Sequence, residues 1–186
     1  MASESQDVAK RLPQGSSNSY DVSRAFLAVG RKAMVKVLVV YDTRHGNTKT
    51  IASSIADGVL DSGVTDVVIR SVGEVDEGEF RDADGVLIGT PNHAGGPTRR
   101  VRKLIRDVSG SDLSGKTIGF FDTYMGGDLR KATAKMEAGL RKRSPDANIM
   151  SPGGSFRVDR MKGPLAEGEK EKAREFGKAL ASRIRR

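Results

Sequence analysis

Apolar positions along this chain follow two alternating rhythms. VKVLVVY (35–41) is a β-branched apolar run broken only by Lys36, the mark of a strand buried on both faces. Residues 47–62 then place Ile51, Ala52, Ile55, Ala56, Val59 and Leu60 on one helical face, which Gly63 ends. VVIRSV (67–72) predicts a second strand, the acidic stretch 73–82 a loop or short helix, and GVLIGT (85–90) a third strand. A helix over 97–109 aligns Val101, Leu104, Ile105 and Val108. KTIGFFDT (116–123) is the fourth strand, followed by a helix over 128–143. The fifth strand lies within 148–158, where Gly153 and Gly154 predict a kink or bulge. A last helix over 166–184 aligns Ala173, Phe176, Leu180 and Ile184. Strands alternating with helices imply right-handed βαβ crossovers and a parallel sheet covered on both faces, an α/β doubly wound fold.

The pattern begins at Met34. Residues 1–33 are Ser/Gln/Asn-rich at their start and are expected to form a disordered or weakly structured tail, with a short helical turn over 22–32. Met34 is itself an alternative start of translation, which the sequence leaves open. Residues 34–186 then form one domain.

In such sheets a ligand sits beyond the carboxyl ends of the strands, at a topological switch point. The loops after strands one, three and four are therefore the ones to read. The first is Thr43-Arg44-His45-Gly46-Asn47-Thr48, small polar residues around a glycine at a helix entry. Backbone N–H groups, the helix dipole and hydroxyls there suit a phosphate. It lacks the spacing of a Walker A loop and of a G-x-G-x-x-G dinucleotide loop. The plainer alternative is a helix entry capped by Asn47 or Thr48. The second loop is Pro91-Asn92-His93-Ala94-Gly95, with Pro97 placed for the first turn of the next helix. The third is Thr123-Tyr124-Met125-Gly126-Gly127, an aromatic and a thioether at a strand end. Each alone reads as a turn; their conjunction points to a ligand touching all three. Asp42 and Asp122 end strands nearby, as turn formers or as participants.

Composition narrows the chemistry. The 186 residues contain no Cys and two His, which leaves no disulfide, no thiol catalysis and too few ligands for a structural zinc site. No apolar run is long enough to span a membrane, and the N-terminus lacks a signal-peptide core, so a cytoplasmic location is expected. Net charge is +8, and it lies late: residues 128–186 hold 16 Lys/Arg against 8 Asp/Glu. Solvated helix faces are the plainer reading; a surface for an acidic protein or nucleic acid is the other.

Three segments resemble the flavodoxin family. MVKVLVVYDTRHGNTKTIA resembles its first strand and FMN phosphate loop, with a Thr-x-x-Gly-Asn-Thr core. ADGVLIGTPNHAGGPTRRVRKLI and GKTIGFFDTYMGG resemble the strands and loops on either side of the isoalloxazine. SPGGSFRVDRMKGPLAEGEKEKAREFGKAL is similar to the last strand and helix of small flavodoxin-domain proteins, so the likeness runs from about Met34 to about Ser182. The resemblance implies a three-layer sandwich with a five-stranded sheet in order 2-1-3-4-5, and FMN as cofactor. Thr43, Arg44, His45, Gly46, Asn47 and Thr48 would hold the phosphate. Pro91, Asn92, His93, Ala94 and Gly95 would line one side of the ring, and Thr123, Tyr124, Met125, Gly126 and Gly127 the other, with Tyr124 stacking. No catalytic residue and no metal ligand is implied. The chain departs from well-known carrier flavodoxins in having no Trp for a two-aromatic sandwich, and in being basic where they are acidic.

The function implied is electron transfer through the bound isoalloxazine, to a redox partner protein or a quinone-like acceptor. Two alternatives stand beside it: a quinone or protoporphyrinogen oxidoreductase, and an FMN-free binding module using the basic C-terminal face. The basic run Arg99, Arg100, Arg102 and Lys103 follows the second loop, and is expected either to raise the flavin potential or merely to decorate a solvated face.

Overall fold

The structure, a computed structural model, describes residues 34–108 and 111–184. The expected tail and the helical turn over 22–32 lie outside the described residues. Five strands, β1 (Lys36–Tyr41), β2 (Asp66–Ser71), β3 (Gly85–Pro91), β4 (Thr117–Tyr124) and β5 (Asn148–Arg157), pair in parallel in the order β2-β1-β3-β4-β5. This is the expected order. Five helices connect or follow them: α1 (Asn47–Asp61), α2 (Glu77–Asp82), α3 (Arg99–Asp107), α4 (Lys131–Arg143) and α5 (Glu169–Ile184). No described helix is long and apolar enough to cross a membrane.

Continuous β-branched strands bury both faces, and each face makes its own core. Val37, Val39, Tyr41, Leu87, Phe121 and Phe156 pack against α1 and α5, whereas Leu38, Val40, Val86, Ile88, Ile118 and Phe120 pack against α2, α3 and α4. Full burial of each aliphatic or phenylalanine side chain among these contributes roughly 1.5–3 kcal/mol before entropy is counted. The period-two split within single strands is what makes three layers from one sheet.

The acidic stretch forms α2, started by a capping box: Gly78 N–H donates to Asp76 Oδ1 at 2.7 Å and Asp76 N–H to Glu79 Oε2 at 3.1 Å. Leu60, expected on the buried face of α1, is exposed, because the helix turns it away from the sheet in its last turn. α3 starts at Arg99 rather than in the Pro97 turn, since Thr98 takes the cap: Val101 N–H donates to its hydroxyl at 3.3 Å. The kink expected at Gly153 and Gly154 is a register shift, with Gly119 facing Met150 and Phe121 facing Gly154.

The closest helix contact is between α1 and α5. A Cβ on Gly58 would lie 2.0 Å from the Arg174 carbonyl oxygen, and one on Gly177 would lie 2.1 Å from that of Ile55. These two glycines let the helix backbones touch. The contact fixes α1, whose first turn carries the phosphate-type loop.

Candidate functional site

One cavity of about 1370 Å³ opens at the carboxyl ends of β1, β3 and β4. All three expected loops reach it. Thr43, Arg44, His45, Asn47 and Thr48 line it from the first, Pro91, Asn92, His93 and Ala94 from the second, and Thr123, Tyr124 and Met125 from the third. Gly46, Gly95, Gly126 and Gly127 do not line it; they shape the backbone behind it.

The first loop folds on itself. Thr43 N–H donates to Asp42 Oδ1 and Gly46 N–H to Thr43 Oγ1, both at 3.0 Å. Gly46 is the N-cap of α1 with φ 85°, so a left-handed backbone, not a side chain, opens the helix. Neither Asn47 nor Thr48 acts as the cap. The first turn of α1 contains no acid, whereas α2 and α5 both place glutamates there. The α1 entry thus keeps its N–H groups and positive dipole end available to an anion. Thr48 is buried, and its hydroxyl lies 2.9 Å from that of Thr123, tying the first loop to the third.

The second loop is a tight turn. His93 N–H donates to Gly96 C=O at 2.8 Å and Gly96 N–H back to His93 C=O at 3.2 Å, around Ala94 (φ 50°) and Gly95 (φ 73°). It is pinned to the third loop, because Asn92 N–H donates to Thr123 C=O at 2.8 Å and Asn92 Nδ2 to Asp128 C=O at 3.1 Å. Asn92 Oδ1 is buried with no partner. A buried acceptor left open beside a cavity is a place for a ligand N–H.

Asp122 is neither a turn former nor a lining residue. It is fully buried beneath the third loop. Its carboxylate accepts the Ser155 hydroxyl and, at 3.2 Å, the Thr133 N–H in the first turn of α4. It replaces the cap that Arg130, left-handed at φ 57°, does not provide. Burial pushes its pKa above the usual 3.8, opposed by the Ser155 and Thr133 hydrogen bonds.

Beyond the three loops, two further groups of residues line the cavity. A turn after β5 brings Arg160 and Met161 to the cavity. The turn is held by an antiparallel bridge between Val158 and Leu165, by Val158 N–H donating to Tyr124 C=O, and by Gly163 against the Asn47 side chain. Nothing local in the sequence marks Arg160. The second group lies on α3 and α4, where Arg99, Arg102, Lys135 and Arg143 extend the wall. The basic run was legible; that Lys135 and Arg143 face it was not.

The donor set fits FMN. A one-anion nest at α1 is joined to an open buried acceptor and to a cleft edged by Tyr124 and Met125. Among the described residues no cluster of His, Asp or Glu could hold a metal ion.

Comparisons with known proteins agree. The flavodoxin domain profile matches residues 38–162. The chain is 38% identical over 86 residues to a flavodoxin of Aquifex aeolicus (strain VF5), covering 46% of each chain, so the match spans about half of that relative's length. It is 26% identical over 161 residues to a flavodoxin of Clostridium saccharobutylicum, covering 81% of this chain and 98% of the relative. A solved flavodoxin from the domain Archaea superposes with a TM-score of 0.69 at 18% identity, over 82% of this chain and 100% of the other. With its strand order, its three loops and this profile match over most of its length, the chain belongs to the flavodoxin domain family, whose cofactor is FMN.

Proposed function

We propose that this chain binds one FMN across the three loops and passes electrons through it as a carrier. The observation that carries the reading is the convergence of all three strand-end loops on one cavity, with an uncapped α1 entry at one side and the open Asn92 acceptor at another. When bound, the isoalloxazine supplies the redox chemistry.

The chain's own residues bind and orient. Gly46 and the α1 entry, with the Thr43 hydroxyl and the Arg44 charge, hold the phosphate; Thr48 fixes that loop against Thr123. Asn92 offers its free oxygen to a ring N–H. Pro91, His93 and Ala94 cover one side and Tyr124 and Met125 the other. Stacked against the isoalloxazine, Tyr124 would add about 1 kcal/mol beyond burial. Gly95, Gly126 and Gly127 set the loop shapes. Residues 34–186 are the working domain, residues 1–33 are dispensable for the site, and the protein works in the cytoplasm. Its acceptor is a redox protein or a quinone-like molecule.

The test is direct. Purified protein should be yellow and release FMN, not FAD, on denaturation, since the site offers one phosphate nest and no pyrophosphate loop. Protein that stays colourless after incubation with FMN refutes the reading.

A further inference from the structure

The cavity does not end at the loops assigned to the ring. It continues between α3 and α4. Arg99, Arg102 and Arg106 form one wall, Lys135 and Arg143 the other, and Met136 and Gly139 belong to the lining between them. The arginines recur at i, i+3, i+7 and the α4 residues at i, i+4, i+8, so each set shares one helix face. No carboxylate lines this stretch. The acids lining the cavity are Asp42 and Asp128, both at strand-end loops, and Asp128 is held by Lys131 at 2.6 Å. Arg99, Arg102 and Lys135 form no ion pair among the described residues. Asp107, at the far end, is already shared among Lys103, Arg106 and Arg143.

Facing rows of like charge repel, and an anionic surface laid between them relieves the repulsion. The groove opens onto apolar side chains. Met125 and Met161 line the cavity at 47% and 72% exposure, and Leu129 is 52% exposed in the third loop's exit. Apolar anchors beside a charged rim make the composition of a protein interface. A single-stranded nucleic acid needs stacking planes as well as cations. Apart from histidine, the aromatic lining is Tyr124 alone, already assigned to the flavin.

We propose that the α3–α4 groove docks the acidic face of a partner electron-transfer protein, holding that partner's redox centre at the cavity mouth. What would be transferred rests on the FMN reading; the docking itself does not. The polarity is the reverse of a carrier that presents an acidic face to a basic partner.

The test uses the full chain loaded with FMN and two probes: an acidic plant-type ferredoxin and a basic cytochrome c. Binding is measured by surface plasmon resonance at about 20 and about 200 mM NaCl. Ferredoxin should bind, weaken about tenfold or more at the higher salt, and cytochrome c should not bind. Arg102→Glu with Lys135→Glu should weaken ferredoxin about tenfold, and Arg102→Gln with Lys135→Gln by less. The same charge change on α5, Lys170→Glu with Arg183→Glu, should stay within about twofold. FMN content, read by absorbance in every sample, reports folding and the flavin site separately. Equal loss in the groove and α5 variants, no ferredoxin binding at low salt, or an oligothymidylate that displaces ferredoxin and is itself lost in the groove variant, each overturns the proposal. Ferredoxin docking by a protein that will not take up FMN refutes only the flavin reading.

Discussion

Asp122→Ala should destabilise the protein strongly, and Asp122→Asn should not. Alanine removes both acceptors that the carboxylate supplies. The Thr133 N–H and the Ser155 hydroxyl are buried and would lose their partner. Each orphaned buried group costs about 1–3 kcal/mol, the Thr133 share being the lost helix cap, so the total is about 2–5 kcal/mol. For a domain of this size that lowers Tm by roughly 5–15 °C. Asparagine keeps an oxygen for Thr133 N–H. Its amide can donate to Ser155 Oγ, which already accepts the Arg130 N–H at 3.0 Å. It also removes a buried charge, so at neutral pH it should lie within about 1 kcal/mol of wild type. The pH dependence supplies the sign. Burial raises the Asp122 pKa in the folded state, so the fold holds this proton more tightly than the unfolded chain does. The stability this adds is present below the unfolded value of 3.8 and is lost as pH rises through the raised folded value. Urea unfolding of wild type and Asp122→Asn at pH values from about 4 to 8 should therefore show wild type gaining on the variant as pH falls through that window. An alanine variant as stable as wild type, or an asparagine difference flat with pH, refutes the assignment of Asp122 as the buried cap of α4.

Thr48→Val should weaken FMN about tenfold and Lys49→Ala by less than about twofold, in a flavin-fluorescence titration, because Thr48 ties two loops together while Lys49 adds a screened charge. Arg160→Ala should lower affinity for FMN severalfold yet leave riboflavin unchanged in the same titration, because Arg160 lines the cavity from a turn that packs Gly163 against Asn47 of the phosphate-type loop. Gly177→Ala should cost upwards of about 2 kcal/mol in chemical unfolding, since its methyl would meet the Ile55 carbonyl at 2.1 Å. Arg99→Glu with Arg100→Glu should lower the bound flavin's potential by on the order of tens of millivolts in an anaerobic titration at low salt.

β1, β3 and β4 were legible because each is a largely apolar run followed by turn residues, and β1 differs from its expected span by one residue, at Val35, whereas β5 (NIMSPGGSFR) is polar and glycine-broken and could be placed only within 148–158. Site positions were legible wherever they follow a strand directly, since a parallel sheet puts those loops at one edge. Residues brought in by packing were not. Arg160 arrives on a turn whose bridge joins Val158 to Leu165, and Lys135 faces Arg102 only because α3 and α4 cover the same face of the sheet. The role of Asp122 depends on α4 lacking a side-chain cap of its own, which follows from the left-handed Arg130 and from no local motif. The same holds for Thr48, whose hydroxyl reads as a cap in sequence and serves as a tie between loops in the fold.

The glycine-mediated touch of α1 and α5 orders events during synthesis. The phosphate-type loop is translated early, but the helix that carries it rests, backbone on backbone, against the last helix described. A nascent chain halted before α5 would expose the face of α1 bearing Ile51, Ile55 and Val59, and would have no firm seat for the first turn. Firm cofactor binding is therefore expected only once α5 has been made and packed against α1, and a chain ending after β5 should bind FMN far more weakly than the full chain.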